Sequence, residues 1–178
     1  MKKSQDNSVG DIENLSGQDW YYTGQVKEHF FNPKNFLTEE PNDSKKFNAV
    51  GMIGSPACGD VMKIWLKVDA KTEKIKKCKW KTFGCASAIA ATSMMSVITT
   101  EKGGMTLKQA RRITPSDIMK RLGGLPLRKV HCSVLGDKAL RKAIDNYYYR
   151  RGDFKKIEEK SSRVIDERLN ITEADIEE

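Results

Sequence analysis

Alternating apolar and polar residues in the middle of the chain predict two adjacent β-strands. The first is predicted over residues 61–69 and the second over 74–83, and the short polar connection between them favours an antiparallel hairpin. A shorter apolar run predicts a third strand over 49–53. The predicted inward residues of the two long strands are Met62, Ile64, Leu66, Val68, Cys78 and Trp80. The opposite faces of the same strands carry Trp65, Lys63, Lys67, Lys77, Lys79 and Lys81.

Apolar residues at helical spacing predict helices before and after these strands. A first helix is predicted over 20–31 and ends at Asn32-Pro33, because the residue before a proline disfavours helical dihedral angles. After Gly84, further helices are predicted over 85–100, 106–112, 116–122 and 133–150. Strands followed by helices indicate an α+β domain, in which helices cover one face of a small antiparallel sheet of about three strands.

The distribution of charge divides the 178-residue chain into three parts. Residues 20–150 hold 24 bases and 11 acids, whereas residues 1–19 and 151–178 are both net acidic. We therefore expect a flexible lead over 1–19, one domain over 20–150 and a separate charged tail over 151–178.

The apolar stretches do not favour a membrane or secreted protein. The longest of them, residues 86–98, contains Ser and Thr and is shorter than the ~20 residues of a membrane span. No apolar segment follows the N-terminal lysines, as a secretory signal would require. We expect a cytoplasmic protein with no membrane contact, in which the four cysteines are thiols and not disulfides.

The basic domain is compatible with two kinds of partner, a nucleic acid or an acidic protein surface. The sequence contains neither an aromatic-rich RNA-binding motif nor a zinc-finger spacing. We therefore expect no nucleic acid and favour an acidic protein partner, with a basic nucleic-acid-binding module as an alternative.

Three of the four cysteines lie where the backbone is predicted to turn. Cys58 lies in a loop rich in Pro and Gly, Cys85 opens a predicted helix after Gly84, and Cys132 opens the last long helix. A helix N-terminus favours thiolate, which is the form that binds iron or zinc. The residues alone leave a metal site and simple burial of the thiols as alternatives, with Asp60 or His131 as a fourth ligand.

Other chemical interpretations are weaker. Cys78 shares the inward face of its strand with Trp80, which predicts a place in the core. A Cys–His hydrolase is disfavoured because the adjacent residues His131 and Cys132 cannot easily face each other. His29 follows an apolar pattern beside Phe30 and is expected to pack rather than to act as a base.

Four sequence blocks resemble the IscU/NifU-type scaffolds of iron–sulfur cluster assembly. They are residues 22–35, which resemble the opening helix of that family, and residues 54–60, 81–90 and 124–133, which resemble its three cysteine segments. The resemblance covers about residues 20–150 and is closer to the NifU side of the family. It implies the α+β scaffold fold and a carrier without turnover chemistry of its own.

The resemblance assigns the cluster to three cysteines. Cys58, Cys85 and Cys132 match the cysteines that build and hold the cluster in that family. Cys132 also matches the thiol that accepts sulfur as a persulfide. The cargo implied is a [2Fe–2S] cluster, with a [4Fe–4S] cluster as an alternative, built from iron; zinc can take the place of iron.

Three further residues are assigned by the same resemblance. Asp60 matches the acid that keeps the cluster labile and can bind metal, His131 matches a candidate fourth ligand, and Lys129 matches a lysine near the site. Zinc-binding relatives of the SufU type, which accept sulfur and activate a cysteine desulfurase, have a longer insertion before the third cysteine and lack the preceding histidine. This sequence has neither feature, so that function is the alternative.

The resemblance also implies partners. They are a cysteine desulfurase of the IscS/NifS type, apo iron–sulfur proteins, a ferredoxin and an iron donor, for a scaffold that is a monomer or a homodimer. The family's bacterial chaperone-recognition segment reads Leu-Pro-Pro-Val-Lys, whereas residues 125–129 read Leu-Pro-Leu-Arg-Lys. This departure argues against handling by a dedicated chaperone pair.

The tail carries a weaker resemblance. Residues 164–176 resemble the start of the ferredoxin-like [2Fe–2S] domain that follows the scaffold in longer NifU proteins. Asp166 and Arg168 stand where that domain has cysteines. The tail is therefore either a degenerate or truncated remnant of such a domain or an ordinary charged helix-forming segment.

Overall fold

The computed structural model describes residues 22–41, 46–55, 59–125 and 131–157, with the side chains of 55 and 131–134 left out. The main elements are α1 (Gly24–Phe31), β1 (Ala49–Ser55), β2 (Asp60–Val68), β3 (Ile75–Phe83), α2 (Ala86–Thr100), α3 (Leu107–Ala110), α4 (Pro115–Leu122) and α5 (His131–Arg150). Short 3₁₀ turns follow α2 at Glu101–Gly103 and α5 at Phe154–Lys156.

The strands form a three-stranded antiparallel sheet in the order β1-β2-β3. The predicted inward positions of β2 and β3 are confirmed, because Met62, Ile64, Leu66, Cys78 and Trp80 are all buried. Trp65, on the opposite face, is buried as well, at 6% exposed. A register shift at Lys67/Val68 inserts one extra residue on β3, next to the turn that joins the two strands. The α+β class predicted from the sequence is confirmed.

Helices α2 and α5 cover the inward face of the sheet and complete the core. The last helix buries its apolar side chains there: Leu135, Leu140, Ile144, Tyr147 and Tyr148. Cys78 is 1% exposed in the same core. Its burial raises the pKa of the thiol to about 12, as expected for a cysteine that packs as a small apolar residue.

The segment after α1 closes the free edge of β3. The backbone N–H of Leu37 donates to the Trp80 carbonyl at 2.8 Å, and the Trp80 indole donates to the Lys34 carbonyl at 2.8 Å. On α1, His29 is buried and its Nδ1 lies 2.7 Å from the Ser93 hydroxyl on α2. The predicted packing role of His29 is therefore confirmed.

Helix α5 packs directly on β1 at Gly51. A Cβ placed on this glycine would lie 2.3 Å from both the Ala139 carbonyl oxygen and the Ala143 backbone nitrogen. One residue earlier on β1, the backbone N–H of Val50 donates to the side-chain amide oxygen of Asn146 on α5 at 3.1 Å. Only a residue without a side chain permits this approach of strand and helix backbones.

The far end of α5 is fixed to the rest of the domain by charged contacts. Arg111 forms a buried ion pair with Asp145 and donates a hydrogen bond to the Lys156 carbonyl at 3.1 Å. Lys156 Nζ lies 2.8 Å from Glu73 in the turn between β2 and β3. Residues 151–157 thus contact the domain, whereas residues 158–178 lie outside the described part.

Several predicted boundaries were wrong by a few residues. The first helix begins at Gly24, where the Thr23 hydroxyl accepts the backbone N–H of Val26, so Tyr22 precedes it. The last helix begins at His131, two residues earlier than predicted. Strand β1 ends at Ser55, two residues beyond the predicted end at 53, and β2 begins at Asp60, one residue before the predicted start at 61. Within the described residues, no helix is long and apolar enough to cross a bilayer.

Candidate functional site

The backbone brings three cysteine-bearing segments to one end of the sheet. Strand β1 runs from Val50, beside Asn146, towards Ser55, while α5 runs in the opposite sense from His131. The first turn of α5 therefore lies at the end where Ser55 pairs with Asp60. Strand β3 ends at the same place, because Phe83 pairs with Val61.

The first turns of α2 and α5 also meet there. The Thr92 hydroxyl on α2 donates to the Met62 sulfur at 3.2 Å, which places this part of α2 over the start of β2. A Cβ on Gly136 of α5 would lie 3.4 Å from the same hydroxyl. One region is consequently surrounded by the sheet end, the start of α2 and the start of α5. We call this region the cysteine end.

Cys85 is the described cysteine at the cysteine end. It is the N-cap residue of α2, with extended backbone angles, and its carbonyl accepts the Ile89 N–H at 3.0 Å. The side chain is half-buried and makes no capping hydrogen bond. The first backbone N–H groups of α2, beside Cys85, lack intrahelical acceptors.

Asp60 adds a buried carboxylate to the same end. The residue is 4% exposed, and its Oδ2 has no hydrogen-bond partner among the described residues. Leaving a carboxylate oxygen buried without a donor is costly. Such a group is typical of a site that receives a cation, because a bound cation supplies the missing interaction.

Gly84 is a site residue that sequence reasoning missed. A Cβ at Gly84 would lie 3.0 Å from Asp60 Cγ and 3.2–3.3 Å from the two carboxylate oxygens. The absent side chain therefore lets the carboxylate rest against the backbone that leads into Cys85. In the sequence, Gly84 is recognisable only as the residue that ends a predicted strand. No hydrophobic periodicity shows which side chain packs against it.

Four of the predicted site residues are described in part or not at all. Cys58 and Lys129 lie outside the described residues. His131 and Cys132 are the first two residues of α5, and their side chains are not described. The described side chains alone contain no group of three His, Cys, Asp or Glu residues arranged to hold a metal ion. Asp60 and Cys85 are thus the part of the predicted site whose side-chain placement is known.

An exposed aromatic residue borders the cysteine end. Phe83 is 81% exposed, although it belongs to β3 and immediately precedes Gly84. Its position on the outward face follows from the alternation that buries Cys78 and Trp80.

Comparison with known proteins agrees with this arrangement. The nitrogen fixation protein NifU of Nostoc sp. is 43% identical over 129 residues, which are 72% of this chain and 42% of that protein. The iron-sulfur cluster assembly scaffold protein IscU 1 of Archaeoglobus fulgidus is 42% identical over 138 residues, covering 78% of this chain and 84% of that protein. The chain therefore spans under half the length of the Nostoc relative.

The fold has a counterpart among solved structures. The N-terminal part of a nitrogen-fixing NifU-like protein from Brucella abortus matches with a TM-score of 0.53 at 18% identity, covering 72% of this chain and 94% of that one. The family model described as the NifU-like N terminal domain matches residues 21–153. Because this match covers most of the sequence, the chain belongs to the NifU-like N-terminal domain family.

Proposed function

We propose that this protein is a scaffold on which iron–sulfur clusters are assembled and from which they pass to apo-proteins. The observation that carries the proposal is the buried Asp60 carboxylate, which lies against Gly84 beside Cys85 with one oxygen lacking a partner among the described residues. Family membership and the name of the Archaeoglobus relative support it.

The thiols of Cys58, Cys85 and Cys132 hold the cargo in this proposal. Thiolates are the usual ligands of [2Fe–2S] and [4Fe–4S] clusters, and the cargo proposed here is a [2Fe–2S] cluster. The backbone placement of Cys132 in the first turn of α5, at the cysteine end, supports its part in the set. Cys78 is excluded, because its thiol is buried and its pKa is raised to about 12.

Asp60 and His131 are the proposed sources of the fourth ligand. An oxygen or imidazole ligand is harder than a thiolate and holds iron less firmly, which suits a site that must release its cargo. Asp60 is in addition the proposed cause of lability, and Lys129 is the proposed supporting cation near the site. The protein binds the cluster and later releases it without converting a substrate, so we propose no turnover chemistry.

Sulfur reaches the site from a cysteine desulfurase of the IscS/NifS type. In the proposed step the Cys132 thiolate attacks the outer sulfur of the desulfurase persulfide, a new S–S bond forms, and the desulfurase thiolate leaves. Cys132 lies in the first turn of α5, and the positive end of a helix dipole favours thiolate. A ferredoxin and an iron donor are the further proposed partners, in the cytoplasm.

The proposal is tested by anaerobic reconstitution of the full chain with ferrous iron, cysteine, a desulfurase and dithiothreitol, the reductant that converts persulfide sulfur to sulfide. We expect a coloured protein with charge-transfer absorption bands, and we expect Cys85→Ala to abolish them. Cys78→Ala is the matched control, because it removes a thiol from the core and should keep the bands while losing stability. The ligand thiols must be deprotonated, so cluster uptake should weaken as pH falls.

The same experiment separates the zinc-binding alternative. A sulfur acceptor of that kind would purify with stoichiometric zinc, accelerate the desulfurase and never take up a transferable cluster. Loss of the absorption bands in both variants, or in neither, would also contradict the proposed ligand set.

A further inference from the structure

The outward face of the sheet carries lysines that the proposed cluster chemistry does not use. We call this set the lysine face; it comprises Lys63, Lys67, Lys77, Lys79 and Lys81. The strand register places Lys63 opposite Lys81 and Lys67 opposite Lys77. Like charges directly opposite each other destabilise an antiparallel pair. The face therefore has an electrostatic cost that an acidic occupant would offset.

Part of this charge is already compensated on β2. Lys63 Nζ lies 2.8 Å from a Glu40 carboxylate oxygen. On β3, Lys79 donates a hydrogen bond of 3.4 Å to the amide oxygen of Asn35, which carries no charge. Within the described ranges, no acid pairs with Lys77 or Lys81. Among the described residues, the lysines of β3 are thus the part of the lysine face without an acidic partner.

The chain itself contains a segment of the opposite charge. Residues 158–178 hold eight acids and three bases, and they begin with Glu158-Glu159. They lie outside the described residues. The acids are distributed over the whole segment, from its first residue to its last.

This acidic segment starts beside the turn that joins β2 and β3. Lys156, two residues before the segment, is fixed to the turn between β2 and β3, since its Nζ lies 2.8 Å from Glu73. Arg151 also donates a hydrogen bond of 3.2 Å to the Ala70 carbonyl in that turn. Lys67 and Lys77 flank the turn on the two strands. The segment begins on the helix side and needs only to pass the turn to reach the lysines.

The length of the segment is sufficient. Lys77 and Phe83 are six residues apart on β3, which corresponds to about 20 Å. A chain of 21 residues reaches up to about 70 Å. A short tether gives an effective concentration of the order of millimolar, which exceeds that of a separate acidic protein at micromolar concentration.

We propose that residues 158–178 of the chain lie over the lysine face, with their acids paired to Lys77, Lys79 and Lys81. The far end of this face is Phe83, directly before Gly84 and the cysteine end. This inference does not depend on the cluster or on its ligands.

Zero-length carbodiimide cross-linking of the full chain tests the proposal, because it joins a lysine only to a carboxylate in direct contact. Mass spectrometry should find Lys77, Lys79 and Lys81 joined to acids of residues 158–178. A mixture of ¹⁵N-labelled and unlabelled protein should show that both ends belong to one molecule. The yield should fall several-fold from low to high salt, because the screening length drops from about 10 Å at 0.1 M to about 3 Å at 1 M.

The effect of each variant is measured as the yield of the cross-link from Lys79, a residue that both variants keep. In Lys77→Gln/Lys81→Gln, the cross-link from Lys79 should fall by about fivefold, as expected for two exposed ion pairs. Lys102→Gln/Lys120→Gln removes the same charge from exposed lysines outside the sheet and should leave that cross-link unchanged. Cross-links that join two molecules, spread evenly to Lys102 and Lys120, or fail to reach residues 158–178 in the wild-type chain would each overturn the proposal.

Discussion

Gly51 lies at the closest approach of β1 to α5, and Gly51→Ala tests how tightly the two elements pack. The added Cβ would lie 2.3 Å from Ala139 O and Ala143 N and 2.9 Å from Ala143 Cα. Non-bonded atoms prefer about 3.5–4.0 Å, so α5 must recede by about 1 Å or more. All three obstructing atoms are helix backbone and cannot move aside as a flexible side chain would.

The expected loss in the free energy of unfolding is large for the addition of one methyl group. Overpacking a close-packed interior costs about 1–3 kcal/mol, and the rigid contact at Gly51 places the cost near 3 kcal/mol. For a protein of this size each kcal/mol lowers Tm by about 2–4 °C, so Gly51→Ala should lower Tm by about 6–12 °C. Circular dichroism at 222 nm during heating measures the change, with urea unfolding as the independent check.

The matched control is Gly24→Ala in the first turn of α1. A Cβ at Gly24 meets nothing within 4 Å, and alanine favours the helix, so Tm should stay the same or rise slightly. If Gly51→Ala melts within about 2 °C of the wild type, a cost below about 1 kcal/mol is implied. That result would refute the close approach of α5 to β1, and with it the backbone argument that brings Cys132 to the cysteine end.

Three further predictions concern other parts of the molecule. Asp145→Asn should lower the free energy of unfolding by about 3–5 kcal/mol in urea titrations, because it leaves a buried guanidinium without its carboxylate; an effect below 1 kcal/mol would show that the ion pair is open to solvent. Burial lowers the pKa of His29, so unfolded chains bind more protons than folded ones near pH 6, and stability should rise with pH there. His29→Gln should flatten this rise between pH 5.5 and 7.5, and an unchanged slope would contradict it. Gly84→Ala should displace the Asp60 carboxylate and lengthen the half-life of a reconstituted cluster by about fivefold, the equivalent of about 1 kcal/mol, whereas Gly54→Ala, whose Cβ meets nothing closer than 4.0 Å, should not; equal half-lives would exclude a role of Gly84 in placing the acid.

The sheet could be predicted from the sequence because its signal is local. Alternate residues of each strand point to the face that the helices cover, so the side of the sheet on which Ile64 and Trp80 lie could be inferred from their immediate neighbours. The burial of Trp65 on the other face could not be inferred in this way. The same alternation placed the lysines on the opposite face. It also assigned Cys78 to the core, which separated it from the three cysteines of the proposed site.

The packing of distant segments could not be predicted in this way. The contact of Gly51 with α5 joins residues almost ninety positions apart, and no period in the sequence connects them. The burial of Asp60 likewise depends on the backbone at Gly84, which reaches it only when β2 pairs with β3.

The candidate site was predictable to the extent that its residues stand in recognisable blocks. The three cysteine segments resemble those of the IscU/NifU-type scaffolds, and family membership is shown by the match over residues 21–153. Of the predicted ligands, the side chains of Asp60 and Cys85 are described, and they lie at one end of the sheet, Asp60 at the start of β2 and Cys85 at the start of α2, two residues after β3 ends. The ligand set as a whole stays a prediction, which the variants of Cys85 and Cys78 test.

Transfer of a cluster from the reconstituted full chain to an apo-ferredoxin tests the scaffold function most directly. The reaction is followed anaerobically by visible circular dichroism, with a chelator present that captures any iron released into solution. A scaffold should lose its own signal while the ferredoxin signal rises in proportion, at a rate that the chelator does not change. A protein that binds only zinc, or whose iron goes to the chelator while the ferredoxin stays empty, would contradict the proposed function.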